Sequence, residues 1–141
     1  MKKISALGLD IGRKRIGVAG CDGMGLIATG LTTIKRSAFA RDVGLLQQIV
    51  TEREATILVV GLPYSMNGTL GTQAQEVQKY ATKLQEVLEL PVEYVDERLT
   101  SLEAEQMMYE QKQAPSRHKA LVDRKAAAII LQQWLDHRRQ R

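Results

Sequence analysis

Apolar residues along the chain fall into short blocks separated by glycine-rich and charged turns, and the spacing inside each block predicts its element. The first three blocks predict strands at about 4–10, 15–21 and 26–35. The basic turn Gly12-Arg13-Lys14-Arg15 joins the first pair and Asp22-Gly23-Met24-Gly25 the second. Connections this short suit antiparallel neighbours. Val43, Leu46, Ile49 and Val50 recur at helical spacing and predict a helix over about 38–53. Thr56-Ile57-Leu58-Val59-Val60-Gly61 has no polar face, as expected of a strand covered on both sides. A polar loop from Pro63 to Gly71 leads into a helix over about 72–89, followed by the strand Val92-Glu93-Tyr94-Val95-Asp96. Thr100 and Glu103 have capping-box spacing and predict a helix start, and a last helix runs from about Lys119 to His137. This order predicts an α/β fold with a mixed five-stranded sheet: three antiparallel strands, then two parallel additions reached through helical crossovers. No repeat or linker divides residues 1–141, which read as a single domain.

Charge changes the picture more than composition does. The net charge is only +4, but residues 1–40 carry seven Lys/Arg against two acids and residues 112–141 carry eight against two. The middle, 41–111, carries five against twelve. A fold that joins the two ends builds a positive surface around whatever acids lie there, which suits a polyanion such as nucleic acid. Solvated basic helix ends are the plainer explanation. One cysteine, Cys21, excludes an internal disulfide and multi-cysteine zinc patterns, and His118 and His137 are too far apart for a His-rich site. No leader pattern and no membrane-length apolar run is present, so a soluble cytoplasmic protein is expected.

The candidate chemistry lies in the acids. Alternation puts Ile4, Ala6, Gly8 and Asp10 on one face of the first strand, and a carboxylate there is costly unless a cation or donors meet it. An Asp that only starts a turn is the alternative. Asp96 and Glu97 end the last strand, where open α/β sheets place their chemistry, and alternation leaves open which of them faces a site. Either could instead favour the dipole of a following helix. Asp123 shares a helical stripe with Ala126, Ala127, Ile130 and Trp134, so it is expected to face the sheet over small residues, unless it is a buried Asp bonded to a neighbouring Arg or to backbone. Carboxylates brought together repel unless divalent cations neutralise them. Oxygen ligands without His or Cys favour Mg²⁺ or Mn²⁺, and two such ions roughly 4 Å apart suit phosphodiester hydrolysis. The loop from Gly61 to Gln73 could offer free backbone N–H groups to a phosphate, although it lacks the Gly-Lys-Ser/Thr ending of a nucleotide-binding loop.

Four segments, in order along nearly the whole chain, resemble one family. They are Gly8-Leu9-Asp10-Ile11-Gly12-Arg13-Lys14-Arg15-Ile16-Gly17-Val18-Ala19; Val60-Gly61-Leu62-Pro63 with Met66, Gly68 and Gly71; Asp96-Glu97-Arg98-Leu99-Thr100; and Val122-Asp123 with Ala126-Ala127-Ala128-Ile129-Ile130-Leu131. Each is weak alone; together they resemble the YqgF family, also called RuvX, of pre-ribosomal-RNA nucleases and Holliday junction resolvase-like proteins. The resemblance implies a ribonuclease H-like fold. It assigns Asp10, then Asp96 or Glu97, then Asp123 to the catalytic, Mg²⁺- or Mn²⁺-binding acids, and it favours 5′-end maturation of small-subunit ribosomal RNA precursor over junction resolution.

The leading expectation is a metal-dependent nuclease acting on structured RNA or branched DNA, with pre-ribosomal particles among its partners, as a monomer or homodimer. Arg13, Lys14, Arg15, Arg98, Arg117, Lys119 and Arg124, with Lys125, are expected to grip the backbone, and such binding weakens with salt. Four Tyr, one Trp and one Phe are too few for extended base stacking. A non-catalytic RNA- or ribosome-binding module is the second reading. A phosphotransferase that closes two such domains on a nucleotide is a third, and 141 residues hold only one.

Overall fold

The computed structural model describes residues 3–63, 71–97 and 119–139. Its elements are β1 (Ala6–Ile11), β2 (Arg15–Cys21), β3 (Ala28–Lys35), α1 (Phe39–Arg53), β4 (Ile57–Leu62), α2 (Thr72–Leu88), β5 (Val92–Asp96) and α3 (Lys119–Arg139). The strands form one five-stranded sheet in the order β3-β2-β1-β4-β5. β1–β2 and β2–β3 are antiparallel, whereas β1–β4 and β4–β5 are parallel. This is the mixed sheet that the element order predicts. The helix expected near Thr100, with Glu103, lies outside the described residues.

Strand boundaries shift for identifiable reasons. The first strand begins at Ala6 rather than residue 4, because Ile4 N–H bonds Gly23 and the Ser5 hydroxyl donates to the Arg53 carbonyl at 2.7 Å. The third begins at Ala28 rather than residue 26. The Asp22 carboxylate accepts the N–H groups of Leu26 and Ile27, each at 2.8 Å, and holds them in a turn. Helices α1 and α2 end where Glu54 and Glu89 take left-handed backbone.

Alternation along β1 divides the core. Leu7, Leu9 and Ile11 face α1 and α2, packed with Leu46, Leu58, Val60, Ala81 and Leu84. Ala6 joins Ala19, Val59 and Val95 on the other face, under Ala127, Ile130, Leu131 and Leu135 of α3. The buried stripe of α3 is therefore rotated from the one expected, since Ala126 and Trp134 are only half-buried. The cause is close approach of the helix to glycines. A Cβ at Gly8 would lie 2.8 Å from the Ala127 carbonyl oxygen, and one at Gly17 would lie 2.0 Å from that of Asp123. Only a strand without side chains at these points lets α3 settle so low. Among the described residues no helix is long and apolar enough to cross a membrane.

Candidate active site

Two acids meet where β1 and β5 end, and the charge of a third, Asp123 near the start of α3, bears on Asp10. Asp10 is next to last in β1, opposite Gly17 in the antiparallel ladder with β2. The Asp123 backbone lies directly over Gly17, so that glycine brings the start of α3 onto the strand beside Asp10. On the other side of β1, Gly61 of β4 leaves the space that Glu97 occupies; a Cβ there would lie 2.5 Å from Glu97 Oε1. Glycine floors on both neighbouring strands thus admit a carboxylate from β5 and another from α3.

Of the two acids that end β5, Glu97 is the one whose side chain hydrogen-bonds Asp10. The Asp96 charge bears on Glu97. Burial pushes Asp10 up to about 6; the Asp123 charge adds to the rise and the bond with Glu97 opposes it. Burial also lifts Glu97 to about 7, reinforced by the Asp10 charge, by the bond with Asp10 and by the Asp96 charge. That bond favours the ionised form of Asp10 and the protonated form of Glu97, so Glu97 donates the shared proton to Asp10. Asp123 is held differently: Arg15 Nε bonds its Oδ2 at 2.5 Å, with about a third of the Arg15 side chain and a fifth of the Asp123 side chain exposed.

Among the described residues, no group of three or more His, Cys, Asp or Glu side chains is gathered to hold a metal ion. Asp10 and Glu97 nevertheless fit a hard divalent cation. They are adjacent oxygen donors whose repulsion a single proton now relieves, and a cation would take over that role. Asp123 would contribute only by exchanging its Arg15 contact.

The proposed basic grip is only partly assembled here. Arg13 and Lys14 are exposed on the turn after β1, with Arg13 3.6 Å from Glu76 of α2. Arg15 is engaged by Asp123, with about a third of its side chain exposed. Arg124 lies over Gly30 of β3 and is half-buried, its Nε buried without a hydrogen-bond partner. Lys125 is exposed. Lys119 opens α3, and Arg98 and Arg117 lie outside the described residues. Sequence reasoning overlooked the part played by Gly17 and Gly61. The available signal was glycine inside otherwise apolar strands, which marks close approach of another group.

A family model described as "RuvX: Holliday junction resolvase" matches residues 4–137. The chain belongs to the RuvX family. Relatives agree over nearly the full length. The "Putative pre-16S rRNA nuclease" of Trichormus variabilis is 66% identical over 138 residues, covering 98% of this chain and 91% of that protein. The protein of the same name from Rippkaea orientalis is 67% identical over 139 residues, covering 99% of this chain and all of that one. Among solved structures, "T. thermophilus RuvC in complex with Holliday junction substrate" superposes with a TM-score of 0.61 at 15% identity, covering 97% of this chain and 96% of that one. That likeness gives this RuvX chain the ribonuclease H-like fold.

The acid pair makes stability depend on pH. Both folded values lie above the ordinary carboxylate range, so the native state binds more protons than the unfolded chain between about pH 4 and 7. Stability of the metal-free protein is expected to fall as pH rises through that window, by on the order of 3 kcal/mol for a carboxyl displaced about two units. Urea midpoints in EDTA at pH 5 and 7.5 measure this. Glu97→Gln is expected to flatten the dependence; a variant as pH-sensitive as wild type would contradict the shared proton.

Proposed function

We propose that this RuvX protein is a divalent-metal-dependent endonuclease that hydrolyses phosphodiester bonds, with the 5′ end of small-subunit ribosomal RNA precursor as its substrate and the cytoplasm as its location. The observation that carries the reading is the hydrogen-bonded Asp10–Glu97 pair beside Asp123, built over two glycines at the strand ends. Asp10 and Glu97 would hold Mg²⁺ or Mn²⁺, with Asp123 as a further ligand. Such an ion supplies charge neutralisation at the phosphate and acidifies a bound water.

The chain's own residues do the positioning. Glu97 would give up its proton on taking a cation, so binding would be favoured above about pH 7. Arg15, released from Asp123, has a planar fork of donors suited to a phosphate oxygen of the strand. Arg13 and Lys14 project from the same turn and attract the backbone without reading bases.

Two further readings stay open to the same experiment. The family description and the RuvC neighbour favour a four-way junction as the alternative substrate. A junction has two strands to cut and calls for a dimer, whereas a monomer suffices for one RNA strand. Labelled precursor RNA and a four-way DNA junction are to be incubated with the protein and Mg²⁺ or Mn²⁺, with Asp123→Asn in parallel. Metal-dependent cutting of the RNA, reduced at least tenfold in the variant, is the expected result. Cutting of the junction alone would move the assignment to resolution. Binding without cutting would make the chain a binding module.

A further inference from the structure

Behind the acids, on the opposite face of the sheet, β1 ends in a second chemically distinct place. A cleft of about 440 Å³ lies between the turn after β1 and helix α2. Its wall carries four cations, Arg13, Arg36, Lys79 and Lys83, against one acid, Glu76. Glu76 pairs with Arg13, and among the described residues no carboxylate pairs with the other three.

The wall is organised. Arg36 donates to the Gly12 carbonyl at 2.6 Å, and its guanidinium lies 4.4 Å from the centre of the Tyr80 ring. Phe39 and Tyr80 pack edge to face with ring centres 5.5 Å apart, and the Lys83 ammonium lies 5.8 Å from the centre of the Phe39 ring. Tyr80 is only 9% exposed, yet its hydroxyl is buried with no hydrogen-bond partner. A buried hydroxyl left unpaired costs stability, and in a cationic cleft it is a donor held in reserve for an oxyanion.

These features select the ligand. Surplus positive charge with an unused donor fits an anion carrying several oxygens. Base stacking is disfavoured, because Arg36 covers one face of Tyr80 and Phe39 packs against the ring. The cleft shares the Ile11–Gly12–Arg13 segment with the acid site, and Asp10 to Gly12 spans at most about 7 Å of extended chain. The two places are therefore joined through the turn after β1, so one strand crossing that turn would meet both.

We propose that the cleft between the β1–β2 turn and α2 is a phosphate subsite, in which Arg36, Lys79, Lys83 and the Tyr80 hydroxyl hold a backbone phosphate of the strand that is cleaved at the acids. This rests on the nuclease reading of the acids. The subsite fixes the register of the strand by charge and leaves the bases unread.

Binding of labelled precursor RNA in EDTA, where nothing is cut, measures the subsite over a range of salt. The Lys79→Ala/Lys83→Ala protein is expected to bind about tenfold more weakly at 100 mM salt. Its slope of log K against log salt should be shallower by about 0.7–1.4, the loss of one or two single-strand phosphate contacts. Lys3→Ala, at the far end of the sheet, serves as the control and is expected to match wild type. Tyr80→Phe separates binding from structure: removing an unpaired hydroxyl is expected to raise the melting temperature while weakening RNA binding a few-fold. Equal slopes in wild type and the double variant, or an equal loss in Lys3→Ala, overturns the subsite. Cleft-dependent binding by a wild-type protein that cuts neither RNA nor junction supports the subsite and sinks the nuclease reading. Cutting by a wild type whose binding ignores the cleft does the reverse.

Discussion

Asp10→Asn is expected to lower metal-dependent cleavage about a thousandfold or more while making the metal-free protein more stable at pH 7.5. The two effects share one cause. Asp10 is desolvated, faces the Asp123 charge and shares a proton with Glu97, so its ionised form is held against a penalty. An amide removes that penalty and can still hydrogen-bond Glu97, which is expected to raise stability by about 2 kcal/mol and the melting temperature by several degrees. The same amide removes an anionic oxygen donor. Losing a direct ligand should exceed the 10–100-fold typical of groups that only orient ligands. Glu97→Gln should behave alike. Asp96→Asn, which removes a charge that bears on Glu97, should cost less than tenfold. Single-turnover cleavage of precursor RNA and thermal melting in EDTA and in Mn²⁺ check both halves. An Asp10→Asn protein within tenfold of wild type would remove Asp10 from the chemistry. A less stable one would contradict the strained pair.

How much of this was legible beforehand depends on the range of the interaction. The strand order follows from local patterns: short turns force antiparallel pairs, and an apolar strand after a helix adds in parallel, as β4 does beside β1. Asp10 and Asp123 were visible as acids on inward faces, because period-two and helical spacing report which way a residue points. The choice between Asp96 and Glu97 was not, since Glu97 follows the last strand residue and alternation no longer applies there. Two tertiary contacts lay beyond local pattern. Arg15 pairs with Asp123, 108 residues away in sequence. Arg124 lies over Gly30 because of the low seat of α3. The strand start placed at residue 26 failed more locally, through the side-chain bonds of Asp22.

That low seat sets the largest expected structural effect. Gly17→Ala should destabilise the protein by about 3 kcal/mol or more, lower its melting temperature by roughly 10 °C, and cost more activity than unfolding alone explains. A Cβ at Gly17 would lie 2.0 Å from the Asp123 carbonyl oxygen, 2.5 Å from the carbonyl carbon and 3.1 Å from the Arg124 nitrogen. All three are backbone atoms of one helix, so no rotamer change relieves the clash. Either α3 lifts or β2 bends, and lifting carries Asp123 away from Asp10, the residue paired with Gly17 across the ladder. Gly61→Ala meets the flexible ends of Ile130 and Glu97 instead, at 2.4 and 2.5 Å. It should cost less stability, about 1–2 kcal/mol, while displacing the Glu97 carboxylate. Gly44→Ala is the matched control. It sits within α1 with nothing within 4 Å of the added carbon, and is expected to stabilise by about 0.5–1 kcal/mol. Urea denaturation ranks the three, and Mn²⁺-dependent stabilisation of the folded variants reads the site without relying on cleavage. Gly17→Ala and Gly61→Ala should both lose most of that stabilisation, whereas Gly44→Ala should keep it. If Gly17→Ala folds as firmly as wild type and still responds to Mn²⁺, then α3 is not seated on Gly17 and Asp123 owes its position to something else.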